Sequence, residues 1–410
     1  NRRLSTDTPR LLLMFPIHKG KRMFDKLVQT PYEKMIVACL TSREAADLEN
    51  IHALYKQCQE QRLFTFAQEH ECTSIVAARL QALGKSSIQW DTALDEWKYR
   101  LNQRFEALDA LAAALKAENI PLIALKNAGI ARGIYPHPEE CPMGDFDVLV
   151  KKSDFERAHE VVLKQGFELG FRAEETIEEE GVKAGLISGG TEYKKELADD
   201  ILWLELQWRP VAGRWIAPEV EPVADDLFET SMPIEGTDVR LMDPVSNLLQ
   251  VCLHTAKHSY VRAPGLRLHT DVDRIVRAYP KLDWDAFIAR ARAMRVTASV
   301  YFSLVIPAEL LGTPIPESVL RCLEPPKFQK EFLFKSIAKA GLFHPLEHKF
   351  SRPKYLAFAA MLFDSPGACF KSAFPSPNYM KKLYHLSSNS QLPLCYAKRF
   401  INLIFKRVKV

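Results

Sequence analysis

The most apolar stretch near the start of this 410-residue chain, Leu11 to Phe15, lasts five residues before Pro16 and a basic run. That is too short to span a bilayer and a poor core for a secretory signal. The eight cysteines are scattered without a CxxC pair, so neither a zinc cluster nor a disulfide framework is signalled. No charge sign dominates: 55 Lys and Arg face 51 Asp and Glu, a net charge of +4. That excludes a long acidic tail and does not by itself mark a nucleic-acid binder. There is no internal repeat and no low-complexity tract. The expectation is a cytoplasmic protein with reduced thiols, and a chain that begins at Asn1 rather than Met suggests a processed or trimmed start.

What is present is ordinary globular composition, 47% hydrophobic and 26% charged, in a length that exceeds one core and calls for at least two packed units. The charge is a sum of opposed parts: residues 1–34 carry +5, residues 351–410 carry +9, and the stretch between them −10. Patterning divides the chain into an N-terminal arm and helical region (1–90), a central α+β palm with a small mixed sheet (91–236) and a C-terminal helical domain (237–410). Residues 1–30 read as a loosely docked arm. Thr41 with Glu44, and Ser153 with Glu156, form capping-box signatures. A long amphipathic helix carries Trp97, Leu101, Phe105, Leu108, Leu111 and Leu115 at helical spacing and ends before Pro121. Leu122–Leu125 reads as a strand, Ala128–Tyr135 as a helix, and Phe146–Val150, Phe167–Phe171 and Ile201–Trp208 as further strands. The acidic stretch Glu174–Gly190 reads as a solvated loop or hairpin. Helices follow over about 244–258, 268–279, 284–294 and 296–311, the first opened by Asp243-Pro244.

Chemistry concentrates in Gly144-Asp145-Phe146-Asp147-Val148-Leu149-Val150. On a strand, Asp145 and Asp147 project to one side about 6.5–7 Å apart, and they repel unless a cation neutralises them. Glu205 lies on the polar face of another strand and can complete a three-carboxylate set for divalent metal. Two such metals would clamp an in-line phosphoryl displacement. Lys126 and Asn127 open a helix directly after a strand, where backbone N–H groups and an ammonium suit triphosphate oxygens.

Leu125-Lys126, Ile134-Tyr135-Pro136, Pro142-Met143-Gly144-Asp145-Phe146-Asp147-Val148-Leu149-Val150, Gly166-Phe167 and Leu204-Glu205-Leu206-Gln207-Trp208-Arg209 together resemble the uncharacterised nucleotidyltransferase family of the DNA polymerase beta superfamily. The resemblance covers roughly residues 95–275. It implies a nucleotidyltransferase palm that transfers a nucleoside monophosphate from a nucleoside triphosphate (NTP). Asp145, Asp147 and Glu205 would be the Mg2+ or Mn2+ ligands and catalytic carboxylates, and Lys126 and Asn127 would bind the triphosphate. Three positions depart from the family pattern: Asn127 replaces the turn glycine and would need a left-handed backbone, Cys141 replaces an arginine, and Gln207 replaces a histidine. Leu253-His254-Thr255-Ala256-Lys257-His258 resembles the family's later His-rich helix.

The expected reaction is transfer of NMP, AMP foremost, to a small-molecule or peptide acceptor. The alternatives are a catalytically weak nucleotide-sensing or partner-binding protein on the same fold, or an RNA-end nucleotidyltransferase. His254, Lys257 and His258 are candidate substrate contacts. The i, i+4 histidines can also bind zinc, although no third ligand is evident; a helix polar face is the plainer reading. Asp271 and Asp273 read as surface or capping groups. Trp203 and Trp208 read as strand-packing aromatics, with Trp203 on the Glu205 face able to stack on a base. The basic amphipathic stretch Tyr396–Val410 either packs on the helical domain or meets an anionic membrane or a polyanion such as nucleic acid.

Overall fold

The structure is a computed structural model that describes residues 24, 27–43, 46–141, 143–170, 185, 189–198, 200–210, 216, 220–262, 265–344, 349–384, 386 and 388–405. Most of the expected N-terminal arm and acidic loop, and residues 406–410, lie outside these.

The N-terminal part is helical: α1 (Pro31–Leu40), α2 (Leu48–Tyr55), α3 (Glu60–Glu69), α4 (Thr73–Ala82) and the long α5 (Ile88–Ala117). The capping box here is Thr30 with Glu33, each side chain bonded to the other's backbone N–H at 3.2 and 3.0 Å, with Pro31 opening the helix. Thr41, expected to start a helix with Glu44, is instead the C-cap of α1, and Asp47 caps α2. The helix that carries Leu48, Ile51, Leu54 and Tyr55 thus starts at Leu48, later than Thr41, while the helical patterning that follows Pro31 is α1, opened by a proline that presets the first helical φ.

The palm follows as β1 (Leu122–Leu125), α6 (Lys126–Gly133), β2 (Asp145–Leu149), α7 (Phe155–Lys164), β3 (Glu168–Leu169), β4 (Gly190–Glu196), β5 (Ile201–Gln207), α8 (Ala224–Thr230), β6 (Met232–Pro233) and β7 (Val239–Leu241). Ser153 sits inside a 3-10 turn over Lys152–Asp154, and α7 starts only at Phe155. The sheet has seven strands in the order β3-β4-β5-β2-β1-β7-β6, larger than the small sheet expected. Strand β4, next to the acidic stretch, and the β6–β7 hairpin make the difference. Strands β2 and β5, and β1 and β7, pair parallel; the others pair antiparallel.

Alternation along β2 and β5 gives the sheet two unlike faces. Phe146, Val148, Leu204 and Leu206 enter a continuous apolar core that also takes side chains from α1–α5 and the C-terminal helices. On the other face, Ile123, Leu125 and Leu149 pack with Ala224, Leu227, Phe228 and Met242 in a small separate cluster. Helix α8 thereby covers one end of that face, and polar groups occupy the rest. Helix α6 lies tight on the sheet: a Cβ at Gly129 would stand 2.3 Å from the Ala124 carbonyl oxygen and 2.8 Å from Leu241 Cδ1.

The C-terminal part comprises α9 (Pro244–Lys257), α10 (Arg267–Ala278), α11 (Trp284–Ala293), α12 (Thr297–Leu310), α13 (Glu317–Leu323), α14 (Lys327–Ala340), α15 (Arg352–Ala360), α16 (Pro366–Ala373), α17 (Pro377–Leu383) and α18 (Leu392–Phe405). Asp243 caps α9, accepting from the Val245 and Ser246 amides at 3.1 Å each.

Asp271 and Asp273 are buried rather than at the surface. Asp271 accepts the Tyr135 hydroxyl at 2.7 Å, and Asp273 accepts from Arg274, Arg277 and Thr313 at 2.5, 2.9 and 2.7 Å. Distant hydroxyls from Tyr135 and Thr313, with two arginines of the same helix on Asp273, make the burial tolerable. A second buried charge set joins α4 to the loop before β2. Arg79 forks onto Glu140 at 2.7 and 3.1 Å, and Arg43 reaches the same carboxylate.

Candidate active site

The parallel pairing of β2 with β5 sets Asp145 opposite Trp203, Asp147 opposite Glu205 and Leu149 opposite Gln207. Directly paired residues share a face, so Asp145, Asp147 and Glu205 stand on the polar side of the sheet. The antiparallel pairing of β4 with β5 sets Glu192 opposite Glu205 and Lys194 opposite Trp203. One level of the sheet therefore reads Glu192, Glu205, Asp147 across three adjacent strands. The next level reads Lys194, Trp203, Asp145. Glu192 was hidden from sequence reasoning because its level depends on register; the alternation Thr191 in, Glu192 out, Tyr193 in was the only local trace.

Asp147 is buried and is the most constrained member. Its Oδ1 accepts from Lys126 Nζ at 2.6 Å and Gln207 Nε2 at 2.8 Å. Glu205, directly across on β5, lies beside it, and its charge disfavours ionisation of Asp147. Burial, with Glu205 beside it, pushes the Asp147 carboxyl up from 3.8 to about 6, while Lys126 pulls the other way. Two carboxyls side by side cannot both ionise freely. The departure at 207 is thus a neutral N–H donor to the Asp147 carboxyl.

Lys126 carries a positive φ of 49°, a conformation rare outside glycine. The left-handed residue expected at Asn127 is therefore Lys126, and Asn127 lies in the first turn of α6. Strain at the turn aims the ammonium across the sheet at Asp147. Burial opposes the Lys126 charge, but Asp147, Glu205 and Asp145 together raise its pKa.

Two of the three candidate substrate contacts, in the last turn of α9, lie within electrostatic reach of Lys126, and Lys257 also of the carboxylates. His254 is held neutral, its pKa well below the usual value through burial and then the charges of Lys126, His258, Lys257 and Arg267. The rings of His254 and His258 meet edge to face at 4.9 Å. Lys257 feels Lys126, Glu205, Asp147 and Asp145; desolvation by the surrounding protein, and then Lys126, lower its pKa. Trp203 is half-buried beside Asp145, and Trp208 packs beneath the Lys152 ammonium at 4.2 Å while donating to the Gly185 carbonyl.

The motif loop is fixed from behind. Arg104 donates to the Met143 carbonyl at 2.5 Å and to Asp200 at 2.9 and 2.5 Å, which joins the turn before β2 to the start of β5. Cys141, in the place of an arginine, is buried; burial and then Asp271 push its thiol well up, while Arg267 and Arg274 of α10 oppose that rise. Cations from α10 thus stand near the position where the family pattern has one.

The donor set is hard carboxylate oxygen, the chemistry of Mg2+ or Mn2+, and the Lys126 ammonium already stands against Asp147 as a cation would. Among the described residues no three His, Cys, Asp or Glu side chains are drawn together into a metal-holding cluster. The carboxylates are aligned by strand pairing, and a fourth group, Lys126, holds one of them.

A family model described as an uncharacterised nucleotidyltransferase matches residues 56–312. No curated protein and no solved structure matches the chain.

Proposed function

This chain belongs to the uncharacterised nucleotidyltransferase family, and we propose that it transfers NMP, AMP foremost, from an NTP to a small-molecule or peptide acceptor in a Mg2+- or Mn2+-dependent step. The observation that carries this reading is the register: Asp147 faces Glu205 across paired strands, with Asp145 on the same face. Asp145, Asp147 and Glu205 would hold the divalent cation, which when bound supplies charge neutralisation for the triphosphate and acidifies an attacking hydroxyl. Glu205 would accept the acceptor's proton. Lys126 would exchange Asp147 for phosphate oxygens, and Lys257 would add a second cation from α9. Asn127, in the first turn of α6, presents amide groups to the same phosphates. Neutral His254 can offer a ring N–H without adding charge.

The test is release of pyrophosphate from labelled NTP with Mg2+ across a panel of hydroxyl and amine acceptors. Wild type should turn over, and Asp145→Asn and Glu205→Gln should each lower the rate by about 10²–10⁴-fold. Unchanged release in Asp145→Asn sinks the mechanism.

A second reading, a nucleotide sensor, is favoured by one observation: Asp147 is already satisfied by Lys126 and Gln207. Calorimetry separates the two, since a sensor binds NTP and leaves it intact.

A further inference from the structure

The last helices present an apolar surface outward. In α18, Tyr396 and Arg399 turn inward: the Tyr396 hydroxyl bonds the Pro375 carbonyl, and Arg399 donates to the Ala373 and Ser372 carbonyls at 3.0 Å each. The residues left facing solvent are Pro393, Leu394, Ala397, Lys398, Phe400 and Ile401. At 3.6 residues per turn they cover an arc of roughly 160°, and all but Lys398 are apolar. Leu394 is 74% exposed, Ile401 54% and Phe400 47%. The arc continues onto α16, because Phe400 stacks on Phe374 at 5.9 Å and Phe374 meets Phe370 at 5.0 Å. Phe370 is itself 64% exposed.

A lone apolar face does not choose its partner; the charge around it does. From Ser351 to Phe405 the sequence holds seven Lys and Arg, and Asp364 is the one acidic residue. Lys398 is exposed within the arc and Lys371 on α16. Asp364, meanwhile, is turned inward, accepting from the Thr297 and Ala298 amides at 2.8 Å each. Apolar side chains fringed by cations, with no anion between Ser351 and Phe405 other than the inward-turned Asp364, match the interface of an anionic bilayer, where rings and aliphatics enter the acyl boundary and ammoniums meet phosphates. No described helix is long and apolar enough to cross a membrane, and the arc runs along one side of α18, the geometry of a helix lying in the surface plane.

We propose that α16 and α18 dock this protein on the surface of anionic phospholipid membranes. The proposal does not depend on the nucleotidyl-transfer reading, and its test uses no nucleotide.

The full chain is sedimented with phosphatidylcholine vesicles and with vesicles in which part of that lipid is replaced by phosphatidylglycerol. Binding is expected to the second alone and to weaken with salt. Leu394→Ser with Ile401→Ser should abolish it. Lys371→Gln and Lys398→Gln should each weaken it roughly fivefold. Circular dichroism of each variant shows whether the helices persist, and Phe400→Trp, read as the difference from wild type with its six tryptophans, gives an independent blue shift on anionic vesicles. Absence of that shift, equal binding to both vesicles, or wild-type binding by the folded Ser variants overturns the proposal. So does RNA binding through this surface without vesicle binding, or self-association without lipid that the Ser substitutions remove and vesicles do not alter.

Discussion

Ionised Asp147 sits at a cost to the fold, and its size follows from the site. In the unfolded chain the carboxyl titrates at its ordinary 3.8; in the folded protein, burial and Glu205 hold it at about 6. The folded form therefore binds the proton more tightly, and stability rises as pH falls through about 6, the gain being complete below 3.8. The full difference corresponds to about 3 kcal/mol, of which about 2 kcal/mol is recovered between about pH 7.5 and about pH 4.5. Asp271 is also held at about 6 by burial, with the same sign, so the wild-type slope alone does not single out Asp147. The difference between wild type and Asp147→Asn does. Asn keeps an oxygen for Lys126 but cannot titrate, so whatever constant offset it introduces cancels. Urea unfolding in the presence of a chelator, followed by tryptophan fluorescence, should show wild type gaining about 2 kcal/mol on the variant over that range. A gap that does not change with pH would mean that Asp147 is not buried beside Glu205, and would remove the geometric basis of the site.

Two further outcomes test the frame around the site. Gly129→Ala places a methyl 2.3 Å from a backbone oxygen, which no rotamer relieves; α6 must move, so the midpoint of thermal unfolding should fall by several degrees, by about 1–3 kcal/mol, and NTP affinity should fall with it because Lys126 rides on the same helix. Glu140→Gln strips the negative charge from buried Arg79 and should cost about 3–5 kcal/mol; a loss below about 1 kcal/mol would show that the Arg79–Glu140 pair is solvated rather than closed.

What the sequence made legible was whatever depends on local periodicity. Leu122–Leu125 is a strand at the expected residues, Asp145–Leu149 and Ile201–Gln207 differ from expectation by a residue or so at their ends, and the helices from Pro244 to Leu310 agree within a residue or two. The two-residue spacing of Asp145 and Asp147 and the polar position of Glu205 in its strand were enough to place all three on one face once β2 and β5 paired. Hidden features were those decided by a distant partner. Asp271 and Asp273 have the sequence context of a surface helix, but Tyr135 lies 136 residues away and Thr313 40 residues away, and no window spans them. Thr41 and Glu44 satisfy the capping-box pattern as well as Thr30 and Glu33 do; only the proline after Thr30 distinguishes them.

The departures from the family pattern also look different once their surroundings are visible. Taken one at a time, a missing glycine, arginine and histidine suggest a site losing its chemistry. In the folded chain each lies within a local set of charges and donors. The left-handed backbone falls on Lys126 rather than Asn127, which directs the ammonium onto Asp147. Gln207 supplies an N–H to the same oxygen. The arginine absent at 141 has Arg267 and Arg274 of α10 as neighbours of the thiol that replaced it. That same helix receives Tyr135 from the end of α6, and the end of α9 brings Lys257 within electrostatic reach of the carboxylates and His254 within reach of Lys126. The C-terminal helices therefore contribute to the palm's charge balance rather than merely covering it. An isolated palm would keep Asp145, Asp147 and Glu205 in register, with Lys126 on Asp147, but would lose the Lys257 ammonium of α9 and the α10 arginines beside Cys141.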